Sequence, residues 1–214
     1  MTDGTFSETG VFVCFEGGEG AGKSTQAQAL AAWLTDEGYA VRLTFEPGDT
    51  PVGKQLRAIV LDPATGALSP RTEALLYAAD KAEHVDTLVR PALDRGEVVI
   101  TDRYVDTSLA YQGAGRVLDL ADVTAVQRWA TADLRPDLTI VLDVDPADGF
   151  GRFEGRDRIE AEPLEFHRRA RQAFLDLAAA DPDHYLVLDA RSPVDEIAAA
   201  VRERVRPLLT KAAR

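Results

Sequence analysis

A glycine-rich octapeptide, Gly17–Ser24, limits the possible folds of this chain more than any other segment. Its sequence, GGEGAGKS, matches the pattern G-x-x-x-x-G-K-[ST] at every fixed position. It follows a short apolar run, Val11–Glu16, that predicts a buried strand, and it precedes a helical spacing of apolar residues over Lys23–Glu37. A strand that turns through glycines directly into a helix is typical of a phosphate-binding loop in a parallel α/β sheet.

Each part of the octapeptide suits a bound polyphosphate. Glycines allow successive backbone N–H groups to converge on one anion, and the helix that begins near Lys23 adds the positive end of its dipole. The Lys23 ammonium can reach β- and γ-phosphates, and the Ser24 hydroxyl can ligate Mg²⁺. The loop therefore predicts binding of ATP or GTP with Mg²⁺. The candidate nucleotide-binding residues are Gly17, Gly18, Glu19, Gly20, Ala21, Gly22, Lys23, Ser24 and Thr25.

Strands and helices alternate along the rest of the chain, which predicts a three-layer α/β fold with a parallel sheet. A second strand is predicted at Tyr39–Phe45, and further buried strands are predicted at Glu97–Thr101, Leu138–Val144 and Tyr185–Asp189. Helices are predicted from Ser69-Pro70 towards Asp94 and near 119–132, 161–180 and 193–209. Residues 1–10 are expected to be a flexible leader and residues 11–214 a single domain.

Composition narrows the class of partner. With 24 Lys and Arg against 36 Asp and Glu, the formal net charge is −12, which argues against a protein that coats a nucleic-acid polymer. The single cysteine, Cys14, excludes an intramolecular disulfide, and no apolar run approaches the roughly 20 residues of a membrane span. These observations favour a cytoplasmic protein that binds neither a nucleic-acid polymer nor a membrane.

A second set of polar residues follows the predicted strand that ends at Thr101. Asp102 could hold Mg²⁺ through water and Arg103 could clamp a phosphate; alternatively, the two side chains simply form an ion pair. Ser108, Tyr111 and Gln112 suit the hydrogen-bonding edge of a base or sugar, although an amphipathic helix ending at glycine explains this segment almost as well. The chain has no Asn-Lys-x-Asp sequence, which argues against a GTPase.

Five segments together closely resemble thymidylate kinases, in this order and spacing: EGGEGAGKSTQ, EPGDTPVG, LLYAADKAEHV, TDRYVDTSLAYQGAGR and DRIEAEPLEFHRRAR. The resemblance extends from about Val11 to about Asp189. It implies transfer of the γ-phosphoryl group of ATP to dTMP, giving dTDP and ADP, with Mg²⁺. It also implies a P-loop NTPase fold with a five-stranded parallel sheet, a short arginine-bearing lid at about 149–160, and a homodimer.

The resemblance assigns roles around the acceptor nucleotide. Glu19 corresponds to a carboxylate that contacts the sugar hydroxyl of dTMP, while Lys81 and Arg103 correspond to contacts of its phosphate. Tyr77 corresponds to an aromatic that stacks on thymine, with simple core packing as the alternative. Tyr111 corresponds to a residue that crowds the sugar 2′ position. The expected dTMP-binding residues are Glu19, Glu46, Pro47, Tyr77, Lys81, Arg103, Ser108, Tyr111 and Gln112.

Gly20 bears on where a catalytic arginine comes from. One subclass of the family carries an arginine at this position, whereas the bacterial-like subclass has glycine there and supplies the arginine from the lid. The resemblance therefore implies the second subclass, with Arg156 and Arg158 favoured over Arg152. An arginine of this kind stabilises the charge that develops on the transferring phosphoryl group. The expected catalytic residues are Lys23, Arg103, Arg156 and Arg158, and the expected metal ligands are Ser24 and Asp102.

Departures from the family pattern lead to a hypothesis of weak dTMP binding. Phe45 stands where an arginine is usual before Glu46, and Lys81 replaces the usual arginine fork with a point charge. The segment between Arg152 and Asp157 is about three residues shorter than usual.

Two other functions remain open at this stage. One is a different P-loop phosphotransferase, such as a deoxynucleoside kinase. The other is a non-catalytic nucleotide-binding relative that uses closure of the lid as a switch.

Overall fold

The computed structural model describes residues 4–149 and 157–213. Within these ranges five parallel strands form one sheet in the order β2-β3-β1-β4-β5, so the predicted parallel α/β architecture is confirmed. The strands are β1 (Val11–Gly17), β2 (Val41–Phe45), β3 (Val98–Asp102), β4 (Leu138–Asp143) and β5 (Tyr185–Asp189).

Helices connect the strands and cover both faces of the sheet. They are α1 (Lys23–Asp36), α2 (Pro51–Leu61), α3 (Pro70–His84), α4 (Arg90–Asp94), α5 (Val105–Ser108), α6 (Leu120–Ala130), α7 (Pro146–Gly149), α8 (Leu164–Ala180) and α9 (Val194–Val205). Two π-helical segments, Val85–Val89 and Leu109–Gly115, continue α3 and α5. Short 3₁₀ helices lie at Pro63–Thr65 and Arg206–Lys211. No helix in the described ranges is long and apolar enough to cross a membrane.

The sequence analysis did not predict α2. Its first turn carries a recognisable start signal, because the Thr50 side chain accepts a hydrogen bond from the Gly53 N–H and Pro51 occupies the first helical position. The predicted long helix from Pro70 to Asp94 is present, but its hydrogen-bonding pattern changes at Val85–Val89 before α4.

Strand β1 lies at the centre of the sheet and positions the site. It pairs in parallel with β3 on one side and β4 on the other, with Phe15 opposite both Asp102 and Ile140. Since all strands point the same way, the carboxyl ends of β1, β3 and β4 meet at one edge. In open α/β sheets ligands bind at this edge, in the crevice where neighbouring strands connect in opposite directions.

The core is divided by the sheet. Val13 and Phe15 of β1 face a cluster with α1 and α9, while Phe12 and Cys14 face the opposite cluster near Val85–Val89. Cys14 is buried, as its place in the strand predicted. The buried strand thereby rigidly holds the loop that follows it.

The end of the expected leader that the structure describes makes specific contacts. The Thr5 N–H donates to the Asp133 carbonyl at 2.9 Å, and Thr5 bridges to Leu134. The Gly10 N–H donates to the Lys211 carbonyl at 2.9 Å.

Candidate active site

The octapeptide forms a tight turn between β1 and α1 that depends on glycine. Gly17 has φ +131°, and a Cβ added there would lie 2.3 Å from the carbonyl oxygen of Leu142. Gly22 caps α1 in the left-handed region with φ +89°. Larger side chains cannot adopt these conformations without strain, so the loop keeps its backbone open to a bound anion.

Lys23 lies at the start of α1 and is only 6% exposed. Its ammonium donates to the carbonyl oxygens of Gly17 at 3.1 Å and Gly18 at 2.8 Å. Burial, and then the positive charge of Arg103, lower the pKa of Lys23 below its ordinary value. A phosphate at this loop would give the ammonium a stronger, charged acceptor in place of the two carbonyls.

Ser24 and Asp102 meet across the crevice. The Ser24 hydroxyl donates to Asp102 Oδ2 at 2.5 Å, which joins the phosphate loop to the end of β3. The alternative that Asp102 simply pairs with Arg103 is not what the structure contains, because Arg103 pairs with Glu19. In the described part of the chain no three His, Cys, Asp or Glu side chains gather as a metal site by themselves.

Arg103 occupies a strained turn directly after β3. It has φ +74°, which is uncommon for a residue other than glycine, and its N–H donates to the Phe15 carbonyl at 2.9 Å. Its guanidinium contacts the Glu19 carboxylate and lies 5.4 Å from the ring centre of Tyr111. Such strain persists only where the surrounding structure enforces it, so the turn is built to hold this side chain in place.

Glu19 is the acidic residue of the phosphate loop. Burial opposes its ionisation, but the charges of Arg103 and then Lys23 outweigh burial and lower the pKa of Glu19. The carboxylate therefore stays charged near neutral pH. It offers a hydrogen-bond acceptor between the phosphate loop and the neighbouring pocket.

A pocket of about 130 Å³ opens next to Glu19 and Arg103. Gln112 and Tyr77 form part of its wall; the Gln112 Nε2 donates to Glu73 at 3.1 Å, and its buried Oε1 has no hydrogen-bond partner among the described residues. The residues predicted to bind dTMP that line this pocket are Glu19, Glu46, Pro47, Tyr77, Arg103, Tyr111 and Gln112.

Lys81 and Ser108 lie behind the pocket wall. Lys81 is 1% exposed, and its ammonium donates to Ser108 Oγ at 3.0 Å and pairs with Glu46 Oε2 at 3.3 Å. The ammonium also lies 5.8 Å from the ring centre of Tyr77. The structure thus places Lys81 beside Ser108, a group expected at the thymine edge.

Arg57 is a pocket residue that the sequence analysis missed. It lies on α2, lines the pocket, and its guanidinium donates to the Pro47 carbonyl at 2.7 Å. The same guanidinium lies 5.8 Å from the ring centre of Phe45. A positive charge is therefore present although Phe45 replaces the usual arginine. Recognising α2 from its Thr50-Pro51 start would have placed Arg57 one to two turns into a helix beside the EPG segment.

Of the three arginines considered for the lid, the structure describes only Arg158. Arg152 and Arg156 lie outside the described residues. Arg158 Nε donates to the Val60 carbonyl at 2.9 Å, and its guanidinium pairs with the fully buried Glu73. Its catalytic role stays a prediction. The remaining loop positions, Gly18, Gly20, Ala21 and Thr25, lie in the turn or in the first turn of α1.

Comparison with known proteins settles the family. The thymidylate kinase family model matches residues 15–201. This chain belongs to the thymidylate kinase family. It is 56% identical over 202 residues to a thymidylate kinase of Cutibacterium acnes, with 94% of this chain and 99% of that protein covered. It is 51% identical over 195 residues to a thymidylate kinase of Deinococcus radiodurans, with 90% and 94% covered.

The thymidylate kinase fold is confirmed independently by shape. The crystal structure of thymidylate kinase from Ehrlichia chaffeensis superposes with a TM-score of 0.78 at 28% identity, covering 92% of this chain and 99% of that one. The predicted P-loop NTPase fold and the predicted family are therefore both confirmed. The chain is a kinase.

Proposed function

We propose that this chain transfers the γ-phosphoryl group of ATP to the phosphate of dTMP, giving dTDP and ADP. The observation that carries the proposal is the contact between Glu19 of the phosphate loop and Arg103 of the neighbouring pocket. It joins a donor-phosphate site to a pocket with an aromatic ring and an amide, so two phosphorylated ligands can lie end to end.

At the donor end, the N–H groups of Gly17–Ser24 and the ammonium of Lys23 bind the ATP phosphates. A phosphate oxygen of dTMP attacks the γ-phosphorus, and the bond to the oxygen bridging the β- and γ-phosphates breaks, so that ADP leaves with that oxygen. The attacking oxygen is already ionised, so no general base is required. Positioning and charge stabilisation carry the catalysis.

Ser24 and Asp102 would hold Mg²⁺ with the phosphates. Their hydroxyl and carboxylate oxygens are hard donors of the kind Mg²⁺ prefers, and they already lie within 2.5 Å of each other. Mg²⁺ bound there would neutralise negative charge on the β- and γ-phosphates.

At the acceptor end, Arg103 and Arg57 bind the dTMP phosphate, and Glu19 accepts a hydrogen bond from the sugar hydroxyl. The ring of Tyr77 stacks on thymine, while Tyr111 crowds the 2′ position. The unpartnered Gln112 Oε1 is available to the N–H of the thymine edge. Because Lys81 contacts Ser108, we assign Lys81 to the base end rather than to the acceptor phosphate.

The lid arginines complete the reaction centre. Arg156 and Arg158 stabilise the charge of the transferring phosphoryl group when the lid, at about 149–160, covers the nucleotides. For Arg158 this requires release of its guanidinium from Glu73. Binding of the doubly charged acceptor supplies a competing anion for that release.

The proposed function is tested by measuring ADP release with ATP, Mg²⁺ and each nucleoside monophosphate in turn. dTMP is expected to be the best acceptor, with dUMP included as its nearest analogue. Thymidine is the control for the alternative of a deoxynucleoside kinase. Turnover of thymidine but not dTMP would establish that alternative, and binding of ATP without turnover of any acceptor would establish the non-catalytic one.

The chain also acts as a homodimer in this proposal. Large apolar side chains are exposed on helices that pack beside one another, α2 with α3 and α3 with α6. Trp129 is 85% exposed and Leu75 58% exposed. Trp129→Ala should shift the mass measured by light scattering towards the monomer. Val117→Ala, at an apolar residue 77% exposed outside these helices, is the control and should leave the mass unchanged.

The compartment and partners follow from the same reaction. We place the protein in the cytoplasm, with ATP and dTMP as its ligands and neither a nucleic-acid polymer nor a membrane as a partner. The net charge of −12 supports this exclusion, because a chain this acidic repels nucleic-acid backbones and anionic lipid surfaces.

A further inference from the structure

Glu16 is a fully buried carboxylate at the end of β1 that the proposed mechanism leaves unused. It lines a cavity of about 150 Å³ and is not among the residues that line the dTMP pocket. A buried carboxylate is costly unless hydrogen bonds compensate for lost hydration. The hydrogen-bond partners of Glu16 therefore indicate its role.

Among the described residues, the Glu16 carboxylate forms its hydrogen bonds with the turn that carries Arg103 and the start of α5, apart from a long contact with the Cys14 thiol at 3.7 Å. Glu16 Oε1 accepts from the backbone N–H groups of Tyr104 at 2.9 Å and Thr107 at 3.1 Å. Glu16 Oε2 accepts from the Thr107 hydroxyl at 2.6 Å. One carboxylate from the central strand thus binds both Tyr104, next to Arg103, and Thr107 in α5.

The Thr107 hydroxyl links the Glu16 carboxylate to the guanidinium of Arg103. Because its hydroxyl hydrogen is donated to Glu16, its oxygen is left as an acceptor, and Arg103 donates to it at 3.2 Å. The Arg103 backbone is held in its left-handed conformation by the same turn. The direction of each hydrogen bond is set by the ionised carboxylate at the start of the chain of contacts.

We propose that Glu16 is a positioning residue that fixes Arg103 for the acceptor phosphate through Thr107 and the turn before α5. The inference rests on the proposed function, since it concerns the same acceptor. It goes beyond it in assigning a role to a group that contacts neither nucleotide.

The first test substitutes the two linking residues. Glu16→Gln replaces one acceptor oxygen with an N–H donor, so either the backbone N–H groups or the Thr107 hydroxyl lose their acceptor. We expect kcat/KM for dTMP to fall by about ten- to a hundredfold, as for other misplaced catalytic groups, with KM for ATP close to that of wild type. Thr107→Val should give the same selective loss, and Thr107→Ser, which keeps the hydroxyl, should restore activity.

The second test uses pH, because a merely structural residue would not change the profile. Burial, and then the negative charge of Asp106, raise the pKa of Glu16 to about 7. Protonation below that pH removes an acceptor, so kcat/KM for dTMP should fall on the acid side. The charged and titratable groups around Glu16 are Cys14, Lys23, Arg103, Asp106, Tyr111 and Tyr185.

Asp106→Asn removes the charge that raises the pKa of Glu16, while its amide oxygen can still accept from the Tyr185 hydroxyl, as Asp106 does at 2.7 Å. The fall of kcat/KM for dTMP on the acid side should therefore move to lower pH. The dTMP phosphate itself titrates near pH 6, so the comparison is between proteins with the same substrate. If kcat/KM for dTMP falls at the same pH in wild type and in Asp106→Asn, the proposal is overturned.

The outcomes separate the two proposals. If wild type phosphorylates dTMP but Glu16→Gln keeps full kcat/KM, the positioning role is wrong and the proposed function stands. If KM rises equally for ATP and dTMP, or if Thr107→Ser fails to recover activity, Glu16 has only a structural role. No turnover of dTMP by wild type contradicts the proposed function and the positioning role together.

Discussion

We expect Lys23 to exchange its two carbonyl partners for a phosphate when ATP binds. Its ammonium is buried and donates to two loop carbonyls, so binding replaces neutral acceptors with a charged one. Lys23→Met keeps much of the apolar stem and removes the charge. We expect kcat to fall by about a hundred- to a thousandfold with the fold retained, since preorganised donors contribute this much to catalysis.

The measurement is steady-state ADP release together with a thermal melt. Lys54→Met, at an exposed lysine on α2, is the matched control and should behave like wild type. A Lys23→Met protein that turns over at the wild-type rate would contradict the donor-site assignment.

Arg57 changes the expectation for dTMP affinity. The hypothesis of weak binding assumed a missing positive charge at Phe45, but Arg57 brings a guanidinium to the pocket from α2. Arg57→Ala should raise KM for dTMP by about tenfold and leave KM for ATP unchanged, because an arginine–phosphate contact is a strong charge-assisted bond. The control is Arg71→Ala at an exposed position of α3. A lower KM in Phe45→Arg would instead support the original hypothesis.

At the scale of elements, helix starts are encoded locally. Ser69 caps α3, because its hydroxyl accepts from the Thr72 N–H at 3.3 Å, and Pro70 fills the first helical position. Ser69→Ala should lower the free energy of unfolding by about 1 kcal/mol, whereas Ser69→Asp keeps a capping oxygen and should remain near wild type. Urea denaturation of the three proteins checks this. Equal midpoints for Ser69→Ala and wild type would show that tertiary packing alone holds the end of α3.

The same locality explains which elements were predicted. Apolar runs such as Val11–Glu16 identified the strands within one or two residues, because a strand buried on both faces, such as β1, is apolar throughout. The predicted burial of β5 (Tyr185–Asp189) is wrong, because β5 lies at the edge of the sheet and is partly exposed. Helix α2 was missed although Val52, Leu56, Ile59, Val60 and Leu61 are apolar; only Gly53 and Val60 are buried in it. The π-helical segment Leu109–Gly115 was not predictable from spacing, since Gly113 and Gly115 lie against Leu120 of α6 and Phe166 of α8, which are outside the segment.

At the scale of the whole molecule, buried acids make stability depend on pH. Asp80 Oδ1 accepts from the Gly48 N–H at 3.1 Å, but its buried Oδ2 has no hydrogen-bond partner among the described residues. Burial, and then the charge of Glu46, raise the pKa of Asp80 to about 6 from its ordinary 3.8. The folded chain therefore holds this proton more tightly than the unfolded chain.

The contribution of Asp80 to stability is accordingly present at low pH and lost as pH rises from about 4 to 6, by roughly 3 kcal/mol. Asp80→Asn cannot ionise and should flatten this part of the profile, so that it is more stable than wild type at pH 7.5. Urea midpoints at pH 5 and pH 7.5 measure the difference. Asp86→Asn, at an exposed position, should keep the wild-type profile.

The linear sequence alone determined the phosphate loop, the five strands, the longer helices except α2, and the thymidylate kinase family. These depend on residues that are neighbours in the chain, since a glycine turn, an apolar run or a helix cap acts over a few positions. Seven of the residues expected to bind dTMP line one pocket, and their roles stay predictions.

Tertiary structure decided which of those residues touch one another. Glu16 bonds Thr107 across 91 positions, Lys81 pairs with Glu46 inside the protein, and Arg57 supplies charge that Phe45 lacks. Such contacts depend on the register of parallel strands and on burial, which no local spacing encodes. The effect of a charge in a folded protein depends on its distance from other groups and on its solvation. Both are set only when folding brings separate segments together at the edge of the sheet.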